Sequence, residues 1–229
     1  ILDRAAGTST FTGDSAGTEM NLTKRGAYTQ VWGGTAASTR LVSFTMDGGL
    51  FVLDKPDGVE ALASMRSPTT NPTQVFLASG ELRLDSNEQI QNNAPITFQG
   101  GTFNLNGYSE TVGALAVAGG GTIDFGAAGS VLHFASGAHT GGVLSILNWE
   151  GDLAGGGADQ LRFTTDPGDA FLAAVQFDGY GLGEALSLDM GGWFEIVPKQ
   201  VQPQEIPEPA SAILLTSGAA ALGVLRRRR

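Results

Sequence analysis

Residues 101–121, GTFNLNGYSETVGALAVAGGG, decide the fold of this 229-residue chain. The stretch begins with a run in which Phe103 and Leu105 are apolar and Asn104 between them is polar. An Asn-Gly turn follows, and a second apolar run occupies residues 115–117. Because the side chains of a strand point alternately to opposite faces, this pattern predicts a short β-strand with one buried face, a turn and a second strand.

The same arrangement recurs along the chain at a nearly constant interval. Four such segments are led by glycines that are 21, 20 and 21 residues apart, namely Gly80, Gly101, Gly121 and Gly142. The residues predicted to point inward are Leu82 and Leu84, Phe103 and Leu105, Ile123 and Phe125, and Leu144 and Ile146. A repeat of this length with two or more strands predicts a solenoid whose equivalent strands stack in parallel about 4.8 Å apart.

The predicted fold class is all-β: a right-handed parallel β-helix or solenoid with a C-terminal cap, followed by one short transmembrane helix. An antiparallel sandwich is the alternative, but a sandwich does not require constant spacing. Residues 101–121 also resemble the autotransporter-associated and passenger-type repeats of large bacterial surface proteins. That resemblance implies a fold and no particular activity.

The C-terminal segment, residues 206–229, has three parts in a fixed order. A Pro-Glu-Pro tripeptide comes first, an uncharged apolar run fills residues 210–225, and a basic cluster ends the chain. The residues concerned are Pro207, Glu208 and Pro209 in the tripeptide and Arg226, Arg227, Arg228 and Arg229 in the cluster. The run predicts a short transmembrane helix of about 24 Å, against about 30 Å for a bilayer core. The arginines should keep the C-terminus in the cytoplasm.

This order of parts resembles the PEP-CTERM sorting signal of exported bacterial proteins. The resemblance implies that the chain is the substrate of an exosortase, a membrane-embedded protease-transpeptidase. It also implies that the precursor lies in the inner membrane and that the product goes to the cell surface or the extracellular matrix. A plain tail anchor is the alternative, but an anchor has no need of Pro-Glu-Pro beside its helix.

Composition restricts the kinds of partner. The chain has no cysteine, 34 glycines and a net charge of −10. Without the four C-terminal arginines, 9 basic and 23 acidic residues leave a charge of 9 − 23 = −14. This excludes nucleic acid as a partner and fits an extracellular domain. No secretion signal is visible after Ile1, so we expect the sequence to be a fragment whose N-terminus is missing.

The predicted organisation has five parts. Residues 1–73 are an irregular N-terminal β region, 74–164 the solenoid repeats, 165–197 a C-terminal β cap, 198–205 a linker and 206–229 the sorting signal. Shorter elements are predicted as strands at 19–23, 28–32, 40–46 and 50–54, a helix at 58–66, a helical turn at 169–174 and a final strand at 193–197.

The outward positions of the repeats carry polar residues, which are Arg83, Asn104, Asp124 and Ser145. Catalysis on a β-helix needs a local cluster of carboxylates, or carboxylates with a basic residue and Ca²⁺, and no two carboxylates occupy neighbouring repeats at this position. We therefore interpret the positions as a solvated polar face. No catalytic residue is predicted.

No metal site or cofactor is predicted either. His133 and His139 are six residues apart and lack metal-ligand spacing. Residues 154–161 nearly match the Ca²⁺-binding nonapeptide, with Gly155, Gly157, Asp159 and Leu161 in place. That motif binds Ca²⁺ only when stacked copies share ligands, and the chain has one copy, so we interpret it as a glycine-rich loop.

The sequence thus predicts a non-enzymatic surface or matrix protein. Its expected partners are the exosortase, the membrane through the C-terminal helix, and an extracellular polysaccharide. The alternative is a polysaccharide-acting surface enzyme whose catalytic part lies in the missing N-terminal region.

Overall fold

Strands make up more than half of the residues that the computed structural model describes, and most of them pair in parallel. The structure describes residues 2–3, 8–12, 20–38, 40–64 and 71–200. The chain divides into two units, Ile1–Lys199 and Gln200–Arg229, and every strand described here belongs to the first. The predicted all-β class is confirmed.

The strands in chain order are β1 (Leu2–Asp3), β2 (Thr8–Thr12), β3 (Met20–Arg25), β4 (Thr29–Gly33), β5 (Leu41–Asp54), β6 (Gln74–Leu84), β7 (Ile96–Asn104), β8 (Glu110–Asp124), β9 (Val131–His139), β10 (Leu144–Leu147), β11 (Gln160–Phe163), β12 (Val175–Phe177), β13 (Ala185–Asp189) and β14 (Phe194–Pro198). One turn of helix, α1 (Asp169–Leu172), lies between β11 and β12.

Parallel pairing organises these strands into three ladders. Ladder A joins β3, the first half of β5, β6, β7, the middle of β8 and the end of β9. Its inward residues, each paired with the next, are Leu22, Phe44, Val75, Ile96 and Leu115. Like side chains therefore meet from strand to strand along the ladder.

Ladder B runs through β2, β4, the second half of β5, the ends of β6, β7 and β8, and then β10 and β12. Its inward residues in register are Phe51, Leu82, Phe103, Ile123, Ile146 and Phe177. The pairing therefore extends beyond residues 74–164, where the glycine-led repeats predict it.

Ladder C joins the starts of β8 and β9 with β11, and pairs Val112, Phe134 and Phe163 in turn. The strand β8 contributes to all three ladders in succession. Gly113 lies where β8 passes from ladder C to ladder A, and a Cβ there would collide with the backbone oxygen of Asn93.

The inward residues of the three ladders form one hydrophobic cluster. Phe44 of ladder A and Phe51 of ladder B have ring centroids 4.8 Å apart, and Phe134 and Phe163 of ladder C stack at 5.5 Å. Complete burial of such a side chain stabilises the fold by about 1.5–3 kcal/mol. The core is thus a continuous apolar column between the ladders.

The glycines that lead the predicted repeats lie where the chain passes from ladder A to ladder B. Gly80 has φ 75° and Gly142 has φ 77°, a backbone region that favours glycine. A Cβ on Gly142 would collide with the backbone of Gly119 and Gly120 on the preceding strand. The constant glycine spacing therefore reports a corner at which successive backbones approach closely.

The N-terminal region is more regular than its sequence indicates. The strands predicted at 19–23 and 28–32 correspond to β3 and β4, and those at 40–46 and 50–54 are parts of the long strand β5. Pairing of β5 with β6 carries ladders A and B across the boundary predicted at residue 73.

The helix predicted at 58–66 is not present over its described part, residues 58–64. This stretch forms a turn and isolated bridges instead, including a parallel bridge from Leu62 to Ile90. Leu62 is fully buried in the core. Its burial in the shared core supports the extended conformation over the helix that local propensity favours.

The C-terminal elements depart from parallel pairing. β14 pairs antiparallel with both β11 and β13. The predicted helical turn at 169–174 corresponds to α1, whose Phe171 packs edge-on against Phe163 with centroids 5.4 Å apart. Among the residues described, no helix is long and apolar enough to span a bilayer. The transmembrane helix predicted at residues 210–225 lies outside the described residues.

The fold predicts that a charge destabilises the protein much more at one of two nearby positions than at the other. Leu105 is fully buried, whereas Thr102 is on the outward side of ladder B beside the buried Phe103. Leu105→Asp buries a carboxylate in the apolar column and should destabilise the protein by about 3–5 kcal/mol, and Thr102→Asp by less than about 1 kcal/mol. Urea unfolding measures both. Equal destabilisation would contradict the assignment of inward and outward faces.

Candidate functional site

The polar positions predicted to face outward lie on ladder B. The register pairs Arg83 with Asn104 and Asn104 with Asp124, as the repeat predicts. The fourth residue is different, because Asp124 pairs with Leu147 and not with Ser145. The prediction for Ser145 is thus wrong by two residues. A shift of two residues leaves the inward and outward faces unchanged.

Hydrogen bonds between neighbouring strands use the polar groups of this face. Asn104 Nδ2 donates to Glu81 Oε1 at 2.9 Å, and Arg83 makes a two-pronged ion pair with Asp85 at 2.9 and 3.1 Å. Asn148 Nδ2 donates to Asp124 Oδ1 at 2.6 Å. The hydrogen bonds of Asn104 and Asn148 link neighbouring strands, whereas the Arg83–Asp85 pair joins residues of one segment.

Side chains also hold the corner between ladders B and C together. Asp57 Oδ1 accepts the backbone N–H of Asn87 at 3.0 Å, and Asn87 Oδ1 accepts that of Ser109 at 2.7 Å. Ser109 Oγ in turn accepts the N–H of Val131 at 2.9 Å. Each polar side chain therefore takes the place of a strand carbonyl where the backbones bend away from regular pairing.

A fully buried carboxylate lies just inside the same corner. Glu110 accepts the backbone N–H groups of Gln89 at 2.8 Å and Ile90 at 3.2 Å. Burial raises the pKa of Glu110 well above its ordinary value, although these hydrogen bonds oppose the rise. Glu110 thus binds a proton more readily in the folded protein than in the unfolded chain.

In the glycine-rich loop before β11, the carboxylate of Asp159 binds backbone N–H groups. Asp159 is buried, and its two oxygens accept the N–H groups of Ser130 at 2.8 Å and Glu150 at 2.7 Å. Burial raises the pKa of Asp159, and the two hydrogen bonds lower it. These bonds close the loop against β9. No group of three or more His, Cys, Asp or Glu residues within the described ranges is arranged to hold a metal ion.

The two histidines make separate local contacts. His133 lies outward on ladder C between the buried Leu132 and Phe134, and its Nε2 is 3.0 Å from Thr164 Oγ1. Burial and the nearby Arg162 lower the pKa of His133. His139 Nε2 lies 2.8 Å from the backbone oxygen of Gly142. Their distinct partners do not bring them into one site.

A buried lysine, which the sequence pattern does not single out, occupies an inward position of ladder A. Lys24 pairs with Met46, and its Nζ donates to the backbone oxygens of Gly26 and Gly48, each at 2.8 Å. The same ammonium group lies 3.9 Å from the centre of the Tyr28 ring. Backbone dipoles and an aromatic face thus stabilise this charge inside the fold.

The structure also contains a cavity that sequence analysis missed. It has a volume of about 320 Å³ and lies where β10 and β12 end. Its lining includes Asn148, Trp149, Leu153, Phe177, Asp178 and Tyr180. The sequence signal was present as aromatic residues beside polar ones just after two strands, but only the pairing of β10 with β12 brings these two segments together.

Trp149 is held firmly at the wall of this cavity. Its ring packs edge-on against Phe177, with centroids 5.2 Å apart, and also contacts the backbone at Gly151 so closely that a Cβ there would collide with the indole. Its Nε1 is buried without a hydrogen-bond partner in the part of the chain that the structure describes. The carbon surface of the ring, and not its N–H, is therefore what Trp149 offers to the cavity.

The predicted sorting residues lie outside the described residues. These are Pro207, Glu208, Pro209, Arg226, Arg227, Arg228 and Arg229. No protein-family model, curated protein or solved structure matches the chain.

The buried acids predict how stability depends on pH. The pKa of Glu110 is raised in the folded state, so its contribution is fully present below its ordinary value of 4.5 and is lost as pH rises through the raised value. Glu195 and Asp159 shift in the same direction. The urea midpoint of the protein should consequently be higher at pH 5 than at pH 8.

The variant Glu110→Gln should show a smaller difference between these two pH values. The matched control is Glu184→Gln, since the exposed Glu184 also accepts a backbone N–H, from Gly181 at 2.9 Å. The control should keep the wild-type pH dependence. An unchanged pH dependence in Glu110→Gln would rule out Glu110 as a source of the effect.

Proposed function

We propose that the three ladders are the faces of a right-handed parallel β-solenoid that serves as a structural, non-enzymatic scaffold. Support comes from β8, which passes through ladders C, A and B before the chain returns to ladder C in β9. Right-handed connections between parallel strands are the rule because strands have a right-handed twist. Each return of the chain adds one rung to all three ladders.

In this proposal the C-terminal elements close the end of the solenoid. The antiparallel strands β13 and β14 follow the last parallel strand of ladder C, and Phe171 of α1 lies against Phe163 of that strand. A cap of this kind protects the terminal strand from pairing with another molecule. The parallel interior and the antiparallel end thus have different tasks.

The main support for the scaffold role is that the outward polar groups on ladder B are engaged in hydrogen bonds with other residues of the protein. Glu81, Asp85 and Asp124 each accept hydrogen bonds from side chains on neighbouring strands or from their own strand. Groups engaged in this way hold the rungs in register. They support a regular surface whose task is mechanical or adhesive.

The proposed location rests on the C-terminal segment. Its Pro-Glu-Pro motif, apolar run and arginines support export, anchoring in the inner membrane with the C-terminus in the cytoplasm, and processing by an exosortase-type protease. The product would then reach the cell surface or the extracellular polymer matrix. The high negative charge of the remaining chain favours a soluble, hydrated state there.

The sorting role predicts a change at the C-terminus. In a bacterial host that has an exosortase, the wild-type protein should mature to a shorter form that lacks Arg229. Replacing Pro207, Glu208 and Pro209 by alanine should let the helix extend and hide the cleavage site, so the uncut precursor should accumulate in the membrane. Mass spectrometry of the C-terminus measures the outcome.

A matched control replaces Pro203, Gln204 and Glu205 in the adjacent linker by alanine. This variant also removes a proline and a glutamate, and it should be processed like the wild type. If the wild-type protein retains Arg229 in such a host, the segment is only an anchor and the sorting role is wrong.

A further inference from the structure

The cavity beside Trp149 combines two features that sugar recognition needs. A pyranose ring has faces of C–H groups, which pack on aromatic carbon, and a rim of hydroxyl groups, which need hydrogen-bond partners. Trp149 and Tyr180 supply aromatic rings, and Asn148 and Asp178 supply polar groups in the same lining. The volume of about 320 Å³ suits a short saccharide segment.

The polar groups are positioned by the ends of ladder B. Asn148 has φ 54° and donates its Nδ2 to Asp124, which fixes the side chain and leaves Oδ1 as an acceptor. The backbone N–H of Asp178 donates to the backbone oxygen of Ile146 at 2.9 Å. This bond fixes the backbone that carries the exposed Asp178 side chain. Tyr180 is held by a turn in which its N–H donates to Phe177.

The aromatic wall is also formed before any ligand arrives. The indole of Trp149 is fixed between Phe177 and the backbone at Gly151. Because the wall is already rigid, it loses little conformational entropy when a ligand binds, so even a ligand that makes few contacts can be bound. The glycine at position 151 is needed for this seat, because any side chain there would displace the ring.

The negative charge around the cavity favours neutral sugars over anionic ones. The polar lining includes the carboxylate of Asp178, and Asp124 lies next to Asn148. The whole chain carries a charge of −10. A uronate or sulfated sugar would be repelled, whereas a neutral sugar would find hydrogen-bond acceptors for its hydroxyl groups.

We infer that this cavity is a binding subsite for neutral pyranose units of an extracellular polysaccharide. The inference rests on the proposed delivery of the chain to the cell surface or matrix, where such polymers occur. It gives the scaffold an attachment point at its C-terminal end. The aromatic rings hold the sugar face, and Asn148 and Asp178 accept hydrogen bonds from its hydroxyl groups.

The test measures binding of neutral tetrasaccharides to the full 229-residue chain. The probes are cellotetraose, maltotetraose and β-galactotetraose, with tetragalacturonate as the anionic counterpart. The protein is kept in a zwitterionic detergent because sugar-headed detergents would compete. Saturation-transfer NMR titrations give the dissociation constants. At least one neutral tetrasaccharide should bind, and tetragalacturonate should bind at least about tenfold more weakly.

Two variants locate the site. Trp149→Ala should weaken binding by about tenfold through loss of the aromatic wall. Asp178→Ala should weaken it by about fivefold through loss of one acceptor, and because Asp178 is exposed this variant keeps the fold. The control is Trp193→Ala, which removes an indole that packs on Arg162 away from the cavity lining. Its affinity should equal that of the wild type.

Each other outcome overturns the inference. Absence of binding by all neutral probes excludes the ligand class, and equal binding of tetragalacturonate excludes the charge selection. Wild-type affinity in both Trp149→Ala and Asp178→Ala places any sugar site elsewhere. Binding of a protein partner in place of sugars, through the same residues, would also reject it. None of these results affects C-terminal processing, so failure of the subsite is distinguishable from failure of the proposed sorting role.

Discussion

Every buried backbone N–H must find an acceptor, and this requirement governs the whole structure. Along the flat parts of the ladders the acceptors are carbonyls of the neighbouring strand. At the corners the backbones bend and side chains replace them, as Asn87 and Ser109 do on the surface. Inside the corner Glu110 has the same task, despite the cost of burying a carboxyl group. The polar residues of the corners are therefore part of the pairing.

The apolar column depends on that pairing. Because Phe103 is held in register between Leu82 and Ile123, each inward side chain covers the one before it. A slip by one residue would turn every inward side chain outward, so burial and register support each other. The same register carries Trp149 and Phe177 to one end of ladder B and forms the cavity there. The fold and the candidate subsite thus have one physical origin.

The sequence predicted the fold class and the faces of ladder B because alternation and glycine spacing are local signals. It could not predict the register at Ser145, since a shift of two residues leaves the alternation unchanged. It also missed the cavity, whose walls come from separate strands. The strands before β6 have no glycine-led repeats, so their register could not be predicted from the sequence, although Phe44 of β5 lies in ladder A. Long-range pairing, and not local propensity, decides these features.

The parallel stacking of successive rungs can be measured directly, because the chain has no cysteine. Thr102 and Thr122 are paired on adjacent strands, as are Thr122 and Ser145. Cysteines introduced as Thr102→Cys and Thr122→Cys should form a disulfide under mild oxidation, whereas Thr102→Cys with Ser145→Cys, two rungs apart, should not. Mass spectrometry of the oxidised pairs decides between them. Efficient linkage of the second pair without the first would contradict the parallel ladder.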